Sequence, residues 1–463
     1  MCYLHQSSEP TRRQFIRDGL SVSAAIIGAV PTTIEWCKAA ASVSPNMSNI
    51  DIARAAGRWI ESAKVVTDTG VTWLADPADP ESAGTTLYHG SPGVVLFLLD
   101  LYHATGEEGY LNTARSGADA IMAVLQTEAE LQLGLYTGVA GMVFCLAETY
   151  SASNDSRYRT AAAQGLNVLL GAATRAGSGV EWNAVTDVIS GSSGIGLTLL
   201  DVANTIEGAD VLDVAASAAY RLVELGRPTS HGLKWPMSPD YRRLMPNFSH
   251  GTAGVSYYLA TLYQKTGDKD LLDASLAGAR YLQSVATTGD GDICLVFHNE
   301  PDGKDLYYLS WCHGPVGTAR LFYRLANVTQ DDEWLQWANM CAKAITQSGI
   351  PEQRRPGFWN NVSQCCGDAG VGEFFSSMYQ VTGDRTYYDF LQRVRGSLVE
   401  RATEDRSGIR WLQAEHRTRP ELVVAQTGYM QGAAGIASFF LHLDALESGR
   451  ESTVVLPDSP FTL

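Results

Sequence analysis

The chain has 463 residues, 45% hydrophobic and 18% charged, which fits one very large domain or two ordinary ones and excludes a disordered chain. With 34 Lys and Arg against 50 Asp and Glu, the net charge of −16 excludes a nucleic-acid partner held through phosphate contacts. Eight cysteines are too few for a disulfide scaffold, and beyond the N-terminus no apolar run is long enough to span a membrane.

Residues 1–41 carry the features of a twin-arginine-type signal peptide. Thr11-Arg12-Arg13-Gln14-Phe15 lies in a polar, basic start, residues 20–30 are apolar and rich in Ser, Ala and Gly, and Ala39-Ala40-Ala41 offers a small-residue cleavage site. The expectation is an exported protein, periplasmic or extracellular, or a cytoplasmic one if the signal is not used. Residues 42–455 are expected to form the folded domain and residues 456–463 a short tail.

A repeat then runs along the mature chain. Seven Gly-x-x-Gly segments start at Gly90, Gly138, Gly191, Gly251, Gly314, Gly367 and Gly432, and an apolar run follows each. Four runs stop at a Thr twelve residues past the second glycine, at Thr105, Thr266, Thr329 and Thr382. Three of these continue Gly-acidic, as in Thr105-Gly106-Glu107, a helix stop followed by a helix start. The third and seventh units keep the glycines and lose this stop. Each unit reads as an apolar inner helix, a tight turn and a more polar outer helix. Runs such as Val255-Ser256-Tyr257-Tyr258-Leu259-Ala260 are apolar on nearly all faces, and a helix apolar all round is buried all round. The expected fold is all-α: a closed, double-layered α/α toroid of about seven helical hairpins, with the glycines at one rim.

Two of the rim loops carry thiols just before the first glycine: Trp311-Cys312-His313-Gly314 and Gln364-Cys365-Cys366-Gly367. Neighbouring hairpins would bring Cys312, Cys365 and Cys366 together, and three such ligands suit Zn2+ with a fourth position open; His313 is an alternative ligand. Buried, unliganded cysteines or a Cys365–Cys366 disulfide are the other readings of the same residues. Two further loops bring titratable groups to that rim. His250 precedes Gly251 and could act as a general acid or base, and Asp187, four residues before Gly191, could orient it. Both also fit plain helix-end roles. His89 holds the same place in the first unit as His250 in the fourth.

Together, the glycine array, Trp311-Cys312-His313-Gly314, Cys365-Cys366-Gly367 and Ser249-His250-Gly251 resemble the lanthionine synthetase C-like proteins, over about residues 50–445. The resemblance implies a toroid of seven hairpins with zinc at its centre. It implies addition of a cysteine thiol to a dehydroalanine or dehydrobutyrine of a peptide, giving a thioether ring. The zinc ligands it implies are Cys312, Cys365 and Cys366, and the proton-transfer pair is His250 with Asp187. The partner would be a peptide with dehydrated Ser or Thr and a Cys thiol, or a small thiol. This chain departs from many members in having Cys366 where a His stands, His313 where a Tyr stands, and an export signal. No dehydratase domain fits in its length. Two other functions share the fold: a non-catalytic zinc or peptide binder, and a glycan-active enzyme, which would need two carboxylates in one cavity. Among the repeat loops only Asp187 and Asp368 offer them.

Overall fold

The computed structural model describes residues 41–461 apart from 129, 204 and 207–209. Residues 1–40 of the expected signal lie outside them, as do residues 462–463 of the expected tail. Fourteen α-helices occur among the described residues. After α1 (Asn49–Ser62) come six hairpins: α2 (Ser91–Thr105) with α3 (Glu108–Thr127), α4 (Val139–Ser153) with α5 (Ser156–Ala172), α6 (Ser192–Val202) with α7 (Val211–Leu225), α8 (Thr252–Thr266) with α9 (Lys269–Val285), α10 (Pro315–Thr329) with α11 (Asp332–Thr346), and α12 (Asp368–Thr382) with α13 (Arg385–Glu400). The last helix is α14 (Ala433–Glu447).

Each inner helix begins one residue after the first glycine of a pair. The even-numbered helices form the inner layer, each touching the next, and α14 returns to α2 to close the ring. The seventh inner helix has no outer helix after it in sequence. That place is taken by α1, which packs on α14 and joins the two ends of the chain. Apolar faces explain the layering: Val94 to Leu99 are all fully buried in α2, whereas α3 buries a single stripe of Leu111, Ala114, Ala118 and Ile121.

The turns between layers follow from local chemistry. The hydroxyl of Thr105 donates to the Leu101 carbonyl (2.6 Å) and accepts from the Glu107 amide (3.2 Å). Thr266, Thr329 and Thr382 repeat both bonds. Gly106 then turns left-handed at φ 69°, where glycine carries no Cβ penalty. Asn154 and Gln330 adopt the same conformation at φ 53° and 57°, so the second and fifth units stop without glycine. Asp155, Asp268, Asp331 and Asp384 cap the outer helices that follow.

Short β-hairpins add to the helical frame. Four follow outer helices and pair Lys64–Thr67 with Gly70–Trp73, Thr174–Ala176 with Gly179–Glu181, Arg227–Thr229 with Gly232–Lys234, and Ala402–Asp405 with Gly408–Trp411. At the end of each, a tryptophan reaches back 13 residues. The indole N–H groups of Trp73, Trp182, Trp235 and Trp411 donate to the carbonyls of Ile60, Leu169, Leu222 and Leu398. These indoles cap the ends of α1, α5, α7 and α13 with a buried donor. The expected tail is also part of the body: Asp458 and Phe461 are buried inside the ring.

Candidate metal centre

The seven loops before the glycine pairs are stitched together at one rim. The residue two or three before each first glycine donates its backbone N–H to the next loop's carbonyl: Tyr88 to Tyr136, Tyr136 to Ile189, Val188 to Ser249, Ser249 to Cys312, Cys312 to Cys365, Cys365 to Met430, and Met430 back to Tyr88. This closed circle of hydrogen bonds fixes the register of every rim side chain. The second glycines let the loops fold back on the helix starts. A Cβ at Gly317 would run into the Trp311 carbonyl, and one at Gly370 into the Gln364 carbonyl.

In that register the three expected thiols meet. Cys366 Sγ lies 3.3 Å from Cys312 Sγ and 3.3 Å from Cys365 Sγ, with all three within 4.8 Å and buried. All are free cysteines, so the Cys365–Cys366 disulfide reading is not what the structure has. Zinc at about 2.3 Å from each of three tetrahedral sulfurs holds them about 4 Å apart; two of the pairs lie at 3.3 Å and the third within 4.8 Å, and this soft, buried donor set suits the ion. Among the described residues, no other group of three His, Cys, Asp or Glu ligands lies close enough to share a metal ion, and His313 is outside this one.

Ordinary polar residues support the thiols. The Tyr88 hydroxyl donates to Cys365 Sγ (2.9 Å). Gln431 donates to the Tyr88 oxygen (3.0 Å), while its own carbonyl oxygen accepts from Asn361 (3.0 Å) and Ser363 (3.1 Å). Burial would push the Cys365 thiol up, but hydrogen bonds from Cys312, Cys366 and Tyr88 outweigh it and hold the group well below the ordinary thiol value.

One loop along the rim, His250 Nδ1 is 2.6 Å from Asp187 Oδ2. Asp187 Oδ1 accepts the amides of Ser190 (2.8 Å) and Gly191 (2.9 Å) at the start of α6. Asp187 thus fills the helix-end role and the orienting role together. A carboxylate oxygen accepts, so the proton of this contact sits on His250 Nδ1.

His313 faces another way. Its Nδ1 donates to Asn247 Oδ1 (2.7 Å), whose amide is bonded to the His298 carbonyl (2.9 Å). His298 stacks on Tyr308 at 4.6 Å. Burial, with Arg417, His250 and Arg243 adding to it, lowers His298 to about 3. Burial, then His298 and His250, drives His313 well below its usual value, so both rings are neutral near pH 7. His89 pairs instead with Glu415 (3.2 Å), a residue outside the glycine loops. Burial would raise that carboxyl, and His89 holds it well below the usual range. Asp368 is bound by Arg354 (2.8 Å) and by Ser397 (3.1 Å) of an outer helix, so it does not join Asp187 as a carboxylate pair.

Sequence reasoning missed Tyr88, Gln431, Asn247 and His298. Aligning the seven loops on their first glycines would have found two: Tyr88 stands where Cys312 and Cys365 stand, and Gln431 where Cys366 stands.

Among solved structures, nisin cyclase has a TM-score of 0.58 at 17% identity, over 86% of this chain and 93% of that one. The GH76A alpha-1,6-mannanase from Salegentibacter sp. HEL1_6 has a TM-score of 0.48 at 14% identity, over 86% of this chain and 100% of that one. No curated protein matches the chain significantly. The model of the lanthionine synthetase C-like proteins matches residues 81–456, a span that holds all seven glycine pairs, the three thiols and the His250–Asp187 pair, and the chain belongs to that family.

Proposed function

We propose that the protein adds thiols to dehydroamino acids of a peptide, a zinc-dependent Michael-type reaction that forms a thioether. The observation that carries this reading is a cluster of three buried thiols on the same rim as a carboxylate-oriented histidine. Zinc held by Cys312, Cys365 and Cys366 would supply a substrate thiol already stripped of its proton near neutral pH.

The chain's own residues account for the rest. Tyr88 and Gln431 hold the thiols in place and neutralise part of their charge. As the new C–S bond forms at the β-carbon, the electron pair moves to the α-carbon and its carbonyl. The proton released by the substrate thiol is taken up at His250 Nε2, Asp187 stabilises the resulting imidazolium from Nδ1, and Nε2 then delivers that proton to the α-carbon. His298 and His313, neutral and buried, do not compete as acids. Export of the folded, metal-loaded chain by residues 1–41 belongs to the same proposal; Arg12→Lys/Arg13→Lys should keep it in the cytoplasm, and unchanged secretion would discard that part.

The test is to incubate the zinc-loaded protein with a dehydroalanine peptide bearing a cysteine, and separately with glutathione, and to follow thiol loss and thioether formation. Acceleration over the uncatalysed addition supports the proposal. A protein that binds zinc and peptide without acceleration would instead be the non-catalytic binder.

A further inference from the structure

We propose that the C-terminal segment is part of the metal centre, with Asp458 positioning both thiol-bearing loops from inside the ring. This rests on reading Cys312, Cys365 and Cys366 as a metal site. Asp458 is 0% exposed. Its Oδ1 accepts from the Tyr136 hydroxyl at 2.9 Å, and its Oδ2 from the Trp311 indole at 2.9 Å and from Arg320 at 2.9 Å. Arg320 also donates to the Asp458 backbone carbonyl at 2.9 Å.

Two of these donors, Trp311 and Tyr136, lead to a thiol. Trp311 immediately precedes Cys312. Tyr136 meets Trp311 edge-on at 5.2 Å and Tyr88 at 6.4 Å, and Tyr88 donates to Cys365 Sγ. One carboxylate, carried on the last residues of the chain, is therefore joined to both loops that supply the sulfurs. The segment is pinned on either side of it. Thr453 Oγ1 (2.6 Å) and the Val454 amide (3.1 Å) donate to Asp100 of α2, and Phe461 stacks on Tyr323 of α10 at 4.5 Å.

The loops are not packed on every side. A cavity of about 200 Å³ lies behind them, with Trp311, Gln364 and Met430 on one side and Val454, Leu456 and Phe461 on the other. A side chain bordering this partly open cavity has fewer packing neighbours on that face, so its hydrogen bonds weigh more in its orientation. For Trp311 the directional bond is the one to Asp458. A buried carboxylate with three side-chain donors, Arg320 among them, is costly to install, and a rigid indole beside a ligand is a reason to keep it.

The test uses the full chain with cobalt(II) as the metal probe. Affinity is read by competition with a chelator, the thiolate-to-cobalt absorption band reports geometry, and thermal melting runs in parallel. Asp458→Asn should weaken cobalt binding by about 10-fold and shift the band. Tyr136→Phe, which removes one oxygen, should weaken binding less, and its loss should not add to that of Asp458→Asn. A lower melting temperature with wild-type affinity and an unchanged band would make Asp458 a clamp for the chain end and overturn the inference. If Asp458→Asn does not fold, Tyr136→Phe decides: weaker binding supports the inference and wild-type binding overturns it. Wild-type protein that binds no cobalt would overturn the metal site itself, a failure separate from that of Asp458.

Discussion

His250 and His89 occupy the same place in two repeats and are held differently. His250 is oriented by Asp187, which the amides of Ser190 and Gly191 fix in turn, whereas His89 meets Glu415 from outside the glycine loops. General acid catalysis is typically worth about 10²–10⁴-fold. Thiol addition by His250→Ala should fall by roughly that factor with metal content and fold retained, and His89→Ala should lose much less. Equal losses, or loss of metal from His250→Ala, would show that His250 is not the acid. The residues legible in the sequence were those whose chemistry is scarce, three cysteines and a histidine beside glycines. Tyr88 and Gln431 also reach the sulfurs, at 2.9 and 3.9 Å, but are common residue types, and only their register in the ring marks them.

At the scale of the element, two glycines separate contact from conformation. Gly317 in α10 faces the Trp311 carbonyl and Phe248, whereas Gly396 in α13 is exposed with nothing nearby. Gly317→Ala should cost about 1–3 kcal/mol through overpacking. Gly396→Ala should gain about 0.5–1 kcal/mol, because alanine is the better helix former. Denaturant melts of both variants check this, and a stable Gly317→Ala protein would contradict the close approach. A third test concerns α4, where burial, then Asp201 and Asp100, raise half-buried Glu148 from 4.5 to about 8. The folded chain holds this proton more tightly than the unfolded one, so the stability contributed below pH 4.5 is lost as pH rises toward 8. Glu148→Gln should therefore raise the melting temperature at about pH 9 relative to wild type and change it less near pH 4; the reverse order would refute the shift. The inner helices were legible because glycine pairs and apolar runs repeat in phase. The tryptophan that closes four of the hairpins was not, because its period of 13 residues from the outer helix shows only once that helix end is known.

The whole molecule is a ring closed twice, once by α1 filling the outer place beside α14 and once by the rim hydrogen bonds that return from Met430 to Tyr88. Closure was legible from the all-round apolarity of the inner helices. The partner of α14 was not, because its sequence lies at the other end of the chain. Residues 456–463 read from sequence only as a short tail, and the burial of Asp458 against the Trp311 indole was not legible because its donors lie far away in the chain. Both closures serve one result, which is to bring sulfur from two neighbouring repeats to one buried point. Metal analysis of the purified, folded chain tests this most directly. The account predicts about one zinc per chain, lost in Cys312→Ala and in Cys365→Ser/Cys366→Ser while the helical fold remains; full zinc in the double variant, or none in the wild type, would contradict it.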